Sequence, residues 1–322
     1  MLLSSGERVR AMAPARERYV FAKRFLIVLA FASVAVSVGC RPRSREPTGA
    51  LAKIKASGVI ALGHRESSIP FSYYDDQQHV VGYSHEIMLK VVDAIKDDLE
   101  LQNLQTKLVP VTSQNRIPLV ENGTVDIECG STTNNLERQK QVAFSTTIFI
   151  INTRFMTSVD SFANTKDFPD LAGKTVVATA GTTSERLLRK MNEEKKMNIQ
   201  VVSAKDHGES FLMLETGRAV AFMNDDVLLF GERAKAKQPE RWVVTGTPQS
   251  REAYGCMMRK DDPMFKELVD KAIAKFEMSP DMSKLYDKWF RSPIPPKGLN
   301  LMFPLTSEME ALFRNPNDRA MD

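Results

Sequence analysis

The sequence Asp126-Ile-Glu-Cys-Gly-Ser-Thr-Thr-Asn-Asn-Leu-Glu-Arg138 joins a short apolar segment to a run of hydroxyl and amide side chains. It predicts a strand that ends at Gly130 and a helix that ends at Arg138. A helix N-terminus presents unpaired N–H groups and a partial positive charge. Because Ser131, Thr133 and Arg138 add further donors, the sequence predicts a binding site for a small anion.

A second segment repeats this pattern later in the chain. The apolar residues 175–180 lead into Gly181-Thr-Thr-Ser-Glu185, and a helical pattern with Arg186 follows. Thr182 and Glu185 also have the spacing of a capping box, which starts a helix without any ligand. Two such segments, one in each half of the chain, favour a ligand held between two lobes.

Strand and helix patterns alternate along both halves, which predicts an α/β fold. In the first half we expect strands at 59–62, 107–111 and 125–129, with helices at 84–100 and 116–122. In the second half we expect strands at 175–180, 199–203, 219–223 and 242–245, with helices that end near 196, 216 and 236.

Two extended segments connect these halves. Residues 146–156 form a long apolar, β-branched run without a turn signal, and residues 252–258 lead back towards the helices predicted at 263–276 and 281–290. We therefore expect one lobe from 51–150 and 252–322 and a second lobe from 151–251.

The N-terminus has the pattern of an export signal. Two basic residues, Lys23 and Arg24, precede 14 uncharged residues, 25–38, which are too few for a membrane span of about twenty residues. Residues 1–39 are predicted to be a signal peptide, and 40–50 a tether. Cleavage with lipidation of Cys40, plain cleavage and an uncleaved anchor remain alternatives, and all three place the folded part outside the cytoplasm.

The charge balance argues against nucleic-acid binding. Of 44 basic and 40 acidic residues, six basic and two acidic ones lie in 1–39, which leaves 38 of each in the remainder. A neutral chain lacks the electrostatic attraction to phosphate.

The remaining cysteines, Cys129 and Cys256, are expected to form a disulfide in an exported protein, although two separate buried thiols are the alternative. The four histidines are scattered, so we expect no metal site.

Polar residues follow several predicted strands, where open α/β sheets place their ligands. The cationic candidates are Arg65, Arg116 and Arg138. His207 lies at a predicted strand-to-helix turn, and Asp225 follows another predicted strand. Taken singly, each has an ordinary explanation as a surface charge or a helix cap. Together, three arginines and a histidine against one aspartate suit a zwitterion with an extra carboxylate. Neither GxSxG nor HExxH occurs, so catalysis has no support.

Six motifs in the chain closely resemble those of the glutamate/aspartate-binding proteins of bacterial ABC uptake systems, a branch of the periplasmic solute-binding family. They are Gly63-His-Arg-Glu-Ser-Ser68, Thr112-Ser-Gln-Asn-Arg-Ile-Pro118, Glu128-Cys-Gly-Ser-Thr-Thr-Asn-Asn135, Ala180-Gly-Thr-Thr-Ser-Glu185, Ser203-Ala-Lys-Asp-His-Gly208 and Ala253-Tyr-Gly-Cys-Met257. The resemblance runs from about Leu51 to the C-terminus.

This resemblance implies a two-lobed periplasmic-binding-protein fold, in which each lobe is a mixed sheet flanked by helices and two crossing hinge strands join the lobes. It implies that Arg138, Ser131, Thr133 and Thr183 hold the α-carboxylate of an amino acid and that Asp225 holds its ammonium group. Four further positions would surround the side-chain carboxylate: Arg65, Ser113, Arg116 and His207.

The function implied by the resemblance is capture of L-glutamate or L-aspartate in the periplasm and delivery to an ABC permease. We expect a monomer without a cofactor. The alternative is an enzyme on the same scaffold, similar to cyclohexadienyl or arogenate dehydratases.

Overall fold

A strand of 17 residues, Val142–Ser158, runs through both halves of the fold. In the computed structural model, which describes residues 46–298 and 300–321, its first part pairs with Arg251–Arg259 and its last part with Ala221–Asp225. The β-branched and aromatic residues of this run favour an extended backbone that is buried on both faces. The prediction of a long connecting strand is confirmed, and the strand is longer than 146–156.

The described residues form twelve strands and ten α-helices. The strands are β1 Val59–His64, β2 Ser67–Ser68, β3 Ser72–Tyr74, β4 Val80–Val81, β5 Gln105–Pro110, β6 Ile127–Glu128, β7 Val142–Ser158, β8 Thr175–Thr179, β9 Gln200–Ala204, β10 Ala221–Asp225, β11 Trp242–Thr245 and β12 Arg251–Arg259. The helices are α1 Gly49–Ser57, α2 Tyr83–Asp98, α3 Arg116–Glu121, α4 Val159–Phe162, α5 Thr183–Glu194, α6 His207–Glu215, α7 Asp226–Lys235, α8 Pro263–Glu277, α9 Pro280–Tyr286 and α10 Ser307–Arg314.

Nine of the strands follow the order β5-β1-β6-β12-β7-β10-β8-β9, with β11 also paired to β7, and β2, β3 and β4 form a separate sheet. Strand β1 is parallel to β5 and β6, and β8 is parallel to β9 and β10, whereas β7 and β12 pair antiparallel. Both halves are therefore mixed sheets, and they meet at the paired strands β7 and β12. This arrangement confirms the predicted α/β fold with two lobes joined by two strands.

Apolar helix faces cover each half of the sheet. In the first lobe, Ile87, Val91 and Ile95 of α2 are fully buried in the largest core cluster, as their helical spacing predicts. In the second lobe, two separate clusters form, one around Leu188 of α5 and the other around Phe211 of α6. Each lobe therefore has its own core, and the ligand site can lie between them.

Helix α7 of the second lobe also contacts the first lobe. A Cβ atom on Gly231 would lie 2.2 Å from the carbonyl oxygen of Ile69, so this close approach requires glycine. At the other end, the Lys297 ammonium donates to the carbonyl oxygens of Lys235 and Ala236 at 2.7 and 3.0 Å. These carbonyls have no partner within the helix, and a cation suits the negative end of its dipole.

The predicted disulfide is present. Register pairing of Glu128 with Met257 brings Cys129 opposite Cys256, and their sulfur atoms are 2.06 Å apart. Both residues are fully buried in the core of the first lobe.

The helix predicted from Ser131 to Arg138 is wrong. This segment is irregular, and the only helical turn is a 3-10 turn at Arg138–Lys140. The Asn134 N–H donates to the carbonyl oxygen of Ala253 at 2.8 Å, and Thr133 forms an isolated bridge with Tyr254. Pairing with the distant strand β12 satisfies these backbone groups, so a helix is not needed to do so.

Two smaller predictions also need correction. Residues 49 and 50, assigned to the tether, belong to helix α1, where Ala50 is buried. The helix expected at 281–290 is α-helical only to Tyr286 and continues as a π-helical turn, Asp287–Arg291. The bounds of the two lobes, 51–150 with 252–322 and 151–251, remain a prediction.

The predicted signal peptide, 1–39, Cys40 and the tether up to residue 45 lie outside the described residues. Among the residues that are described, no helix has the length and apolar character needed to cross a membrane.

Candidate functional site

The guanidinium of Arg138 lies where the two lobes meet and is almost fully buried. Its Nη1 donates to the carbonyl oxygen of Thr133 at 3.0 Å, and its Nη2 donates to that of Gly181 at 3.3 Å. Burial, together with the charges of Arg116 and Arg186, lowers the pKa of Arg138 to about 9. The group therefore remains charged at neutral pH and has further N–H donors for a carboxylate.

The start of helix α5 forms the opposite wall. Gly181 has φ +79°, and a Cβ atom there would lie 2.9 Å from atoms of Gln114, so glycine allows this approach. The Thr182 hydroxyl accepts from the Glu185 N–H at 3.0 Å, which confirms the predicted cap. The Glu185 carboxylate accepts from the Gly181 N–H at 2.9 Å, and not from Thr182 as a full capping box requires.

Arg65 and Arg116 converge on the loop after β6. Arg116 Nη1 donates to the carbonyl oxygen of Ser131 at 2.9 Å and to the Thr132 hydroxyl at 2.5 Å. Arg65 Nη1 lies 3.5 Å from the Ser131 hydroxyl, which itself bonds to Ser68 at 3.1 Å. Both arginines are 1% exposed, which is rare unless anions lie nearby.

Buried carboxylates provide those anions. Glu128 is fully buried, and its Oε2 accepts from the Thr132 hydroxyl at 2.8 Å. Its charge opposes the effect of burial on both arginine pKa values, although burial still lowers the pKa of Arg65 to about 10. The sequence-based count of three arginines and a histidine against one aspartate is therefore wrong, because Glu128 and Glu252 add two buried negative charges.

His207, at the start of α6, is neutral in this environment. Burial lowers the pKa of His207 well below its usual value, and the charges of Arg65 and Arg116 lower it further. The Asn224 amide nitrogen lies 3.2 Å from Nδ1, and an amide nitrogen can only donate. Nδ1 therefore accepts, and the proton lies on Nε2, which is buried and has no partner among the described residues.

Asp225 ends strand β10 and is surrounded by hydroxyl groups. Its Oδ1 accepts from the Ser184 hydroxyl at 3.0 Å, and its Oδ2 accepts from the Tyr254 hydroxyl in a very short hydrogen bond. Burial and the nearby charge of Glu252 raise the pKa of Asp225 to about 8. A cation placed beside this carboxylate would favour its ionised form.

Glu252, which the sequence analysis did not select, lies at the centre of the site. Its Oε2 accepts from the Thr183 hydroxyl at 2.7 Å and from the Thr133 hydroxyl at very short range. Its Oε1 accepts from the Ser250 hydroxyl at 3.0 Å. One carboxylate therefore connects the loop after β6 in one lobe with helix α5 in the other. The available signal was an acidic residue directly before the uncharged segment 253–258.

The structure brings most of the predicted residues together. Ser131, Thr133, Thr183, Arg65, Arg116, Arg138, His207 and Asp225 are linked by hydrogen bonds or by electrostatic effects on pKa. Ser113 is buried beside Gln114, opposite Gly181, but its hydroxyl has no partner among the described residues. The ligand roles of these residues stay predictions.

Two α/β lobes, two connecting strands and a buried polar site between the lobes define the class of two-lobed small-molecule binding proteins. The model for bacterial extracellular solute-binding proteins, family 3, matches residues 60–292, and the chain belongs to this family.

Named relatives agree with this class. The chain is 61% identical to the glutamate/aspartate import solute-binding protein of Salmonella typhimurium over 272 residues, 84% of this chain and 89% of the relative. It is 58% identical to the L-glutamate/L-aspartate-binding protein of Pseudomonas aeruginosa over 92% of this chain and 97% of that protein. Holo ArgBP from T. maritima superimposes with a TM-score of 0.63 at 27% identity, covering 74% of this chain and 98% of that structure. These relatives are binding proteins, so the chain is a solute-binding protein and the enzyme alternative is not supported.

Proposed function

We propose that this protein captures L-glutamate or L-aspartate between its two lobes, 51–150 with 252–322 and 151–251, and delivers it to an ABC permease. The names of the relatives at 58 and 61% identity support this ligand class. Lobe closure around the ligand would be a hinge motion at β7 and β12.

The observation that carries the proposal is a group of buried polar atoms without partners among the described residues. Ser113 Oγ, Arg116 Nε and His207 Nε2 are all buried, and each can donate a hydrogen bond. A buried donor without an acceptor costs about 1–3 kcal/mol. A side-chain carboxylate placed against these three atoms would accept from all of them and face the charges of Arg65 and Arg116.

The backbone end of the ligand fits the remaining groups. The free N–H groups of Arg138, with those around Ser131 and Thr183, suit an α-carboxylate, and Asp225 suits the ammonium group. This division assigns amino-acid recognition to Arg138 and Asp225, and acidic-ligand recognition to Ser113, Arg116 and His207.

The place of action follows from the family and from the N-terminal sequence. We place the protein in the periplasm as a monomer, exported by residues 1–39 and either released or lipid-anchored through Cys40. A monomer suffices because both lobes of the site belong to one chain.

Isothermal titration with a panel of amino acids tests the proposal. We expect L-glutamate and L-aspartate to bind, and L-glutamine, which lacks the negative charge, to bind at least tenfold more weakly. Absence of heat with both acidic amino acids at high micromolar concentration would contradict the proposed function.

A further inference from the structure

Helix α7 begins beside the connecting strands and extends away from them along the first lobe. The side-chain amide of Asn152 in β7 donates to the Asp226 carboxylate at 3.4 Å, and Val227 and Leu228 are buried in the first-lobe core cluster. Lys235 lies nine residues after Asp226, so at a rise of about 1.5 Å per residue the two ends of the helix are about 14 Å apart. The C-terminal end of α7 is therefore the part that moves most if the second lobe rotates about β7 and β12.

Three groups of the first lobe contact the second half of α7. The carbonyl oxygen of Ile69 faces Gly231, where a Cβ atom would lie only 2.2 Å from it. The rings of Phe303 and Phe230 have their centroids 6.1 Å apart, and the Lys297 ammonium donates to two carbonyl oxygens at the end of the helix. None of these five residues is a predicted ligand contact, so this interface between the lobes is separate from the amino-acid site.

The C-terminal segment that carries Lys297 is attached to the first lobe. Ile294 is buried in the first-lobe core cluster, and the Tyr73 hydroxyl donates to the carbonyl oxygen of Pro295 at 2.8 Å. The Phe303 N–H donates to the carbonyl oxygen of Phe290 at 3.0 Å. A rigid-body rotation of the second lobe by about 15° would move the end of α7 by up to about 4 Å relative to this segment. A shift of that size breaks hydrogen bonds of ordinary length.

We infer that Gly231 and Lys297 are positioning residues for the closed form of the protein. Gly231 allows α7 to approach the backbone at Ile69, and Lys297 holds the end of the helix once the lobes have closed. Together they slow the release of the ligand without touching it. This inference rests on the proposed function, because it requires lobes that open when the site is empty.

Gly231→Ala tests the approach of the two lobes. In the closed form the added methyl group would meet backbone atoms of Ile69, which cannot turn aside as a side chain can. We expect the affinities for L-glutamate and L-aspartate to fall together by about 10- to 100-fold, the range for overpacking a close contact. Their ratio should stay the same, and stopped-flow kinetics should show the loss mainly as faster dissociation.

Unfolding of the unliganded protein distinguishes a closing contact from a permanent one. If the lobes open without ligand, Gly231→Ala avoids the clash, and alanine favours a helix more than glycine does. The urea midpoint of the unliganded variant should therefore be no lower than that of the wild-type protein, both prepared by unfolding, dialysis and refolding. A permanent contact would instead lower this midpoint and leave the affinity almost unchanged.

Lys297→Met gives a second measurement that does not introduce a clash. Loss of a cation at a helix C-terminus should speed dissociation of both ligands about two- to fivefold. Lys297→Arg keeps the cation and should release ligand at the wild-type rate. Lys284→Met is the matched control, since Lys284 is an exposed lysine that pairs with Asp281 on α9, and it should change neither rate.

The outcomes separate the two proposals. If the wild-type protein binds no acidic amino acid, the proposed function is wrong, and the urea midpoint of Gly231→Ala alone decides the inference. If the wild-type protein binds them, unchanged dissociation rates in both Gly231→Ala and Lys297→Met would overturn the inference. A lowered midpoint of unliganded Gly231→Ala would overturn it as well.

Discussion

Ligand binding is expected to release a proton from Asp225. Its pKa is raised to about 8 by burial and by Glu252, so about 90% of the carboxyl is protonated at pH 7 in the unliganded protein. The ligand's ammonium group favours the ionised form, and the proton must leave when the ligand binds. Removing it costs about 1.4 kcal/mol at pH 7 and about 2.7 kcal/mol at pH 6, because each pH unit is worth 1.36 kcal/mol.

The affinity should therefore increase with pH and level off above pH 8. Between pH 6 and pH 7 we expect a roughly tenfold gain for L-glutamate, which is one pH unit of linkage. Burial and the charges of the two arginines lower the pKa of His207 well below its usual value, so this residue is neutral in the unliganded protein.

Titration calorimetry in two buffers with different ionisation enthalpies counts the released protons. At pH 7 we expect about 0.9 proton per ligand. The variant Asp225→Asn should release none and bind more weakly, whereas Glu277→Gln should behave like the wild-type protein. A wild-type proton count indistinguishable from zero at pH 7, with tight binding, would refute the reasoning.

Three further results are expected. Arg138→Ala should abolish binding of every amino acid and Arg116→Ala should mainly weaken acidic ones; equal loss of acidic and neutral ligands in titrations would reject this division of roles. Replacing Cys129 and Cys256 by alanine should cost about 3–5 kcal/mol in urea unfolding, since the disulfide closes a loop with a sequence separation of 127 residues, and a loss below about 1 kcal/mol would contradict this estimate. Burial raises the pKa of Glu277 to about 9, so the folded protein retains a proton that the unfolded chain releases and stability should fall as the pH rises from about 5 to 9. Glu277→Gln should reduce this slope in thermal unfolding and leave the part that comes from Asp225 and Glu232, whose pKa values burial also raises, to about 8 and about 7; an unchanged slope would exclude a contribution from Glu277.

Local patterns were sufficient for most of the fold. The spacing of apolar residues predicts helix α2 and strand β7. A helix buried on one face has apolar residues three or four positions apart, and a strand buried on both faces is a continuous apolar run. The cysteine pair followed from the export signal. The helix and the strand depend on residues that are close together in the chain, and the disulfide depends on the number of cysteines, so all three could be predicted from the sequence.

The segment from Ser131 to Arg138 shows where local patterns fail. Hydroxyl and amide residues before a helical pattern are typical of a helix start and equally of a loop. The choice depends on Ala253 and Tyr254, more than a hundred residues away, which pair with this segment. Glu128 and Glu252 were missed for a similar reason, since only the assembled sheet shows that their carboxylates are buried among arginines and hydroxyls.

The pairing of Asn152 with Arg251 has a consequence for engineering. The chain leaves the first lobe and returns to it at neighbouring positions of one strand pair, so the intervening segment is an insertion whose two ends lie side by side. Such a segment can be exchanged between relatives without changing the separation of the junctions. A chimera with a foreign segment between these two positions would retain Arg65, Ser113, Arg116 and Arg138 and would replace Thr183, His207 and Asp225, which would show how much of ligand choice each lobe determines.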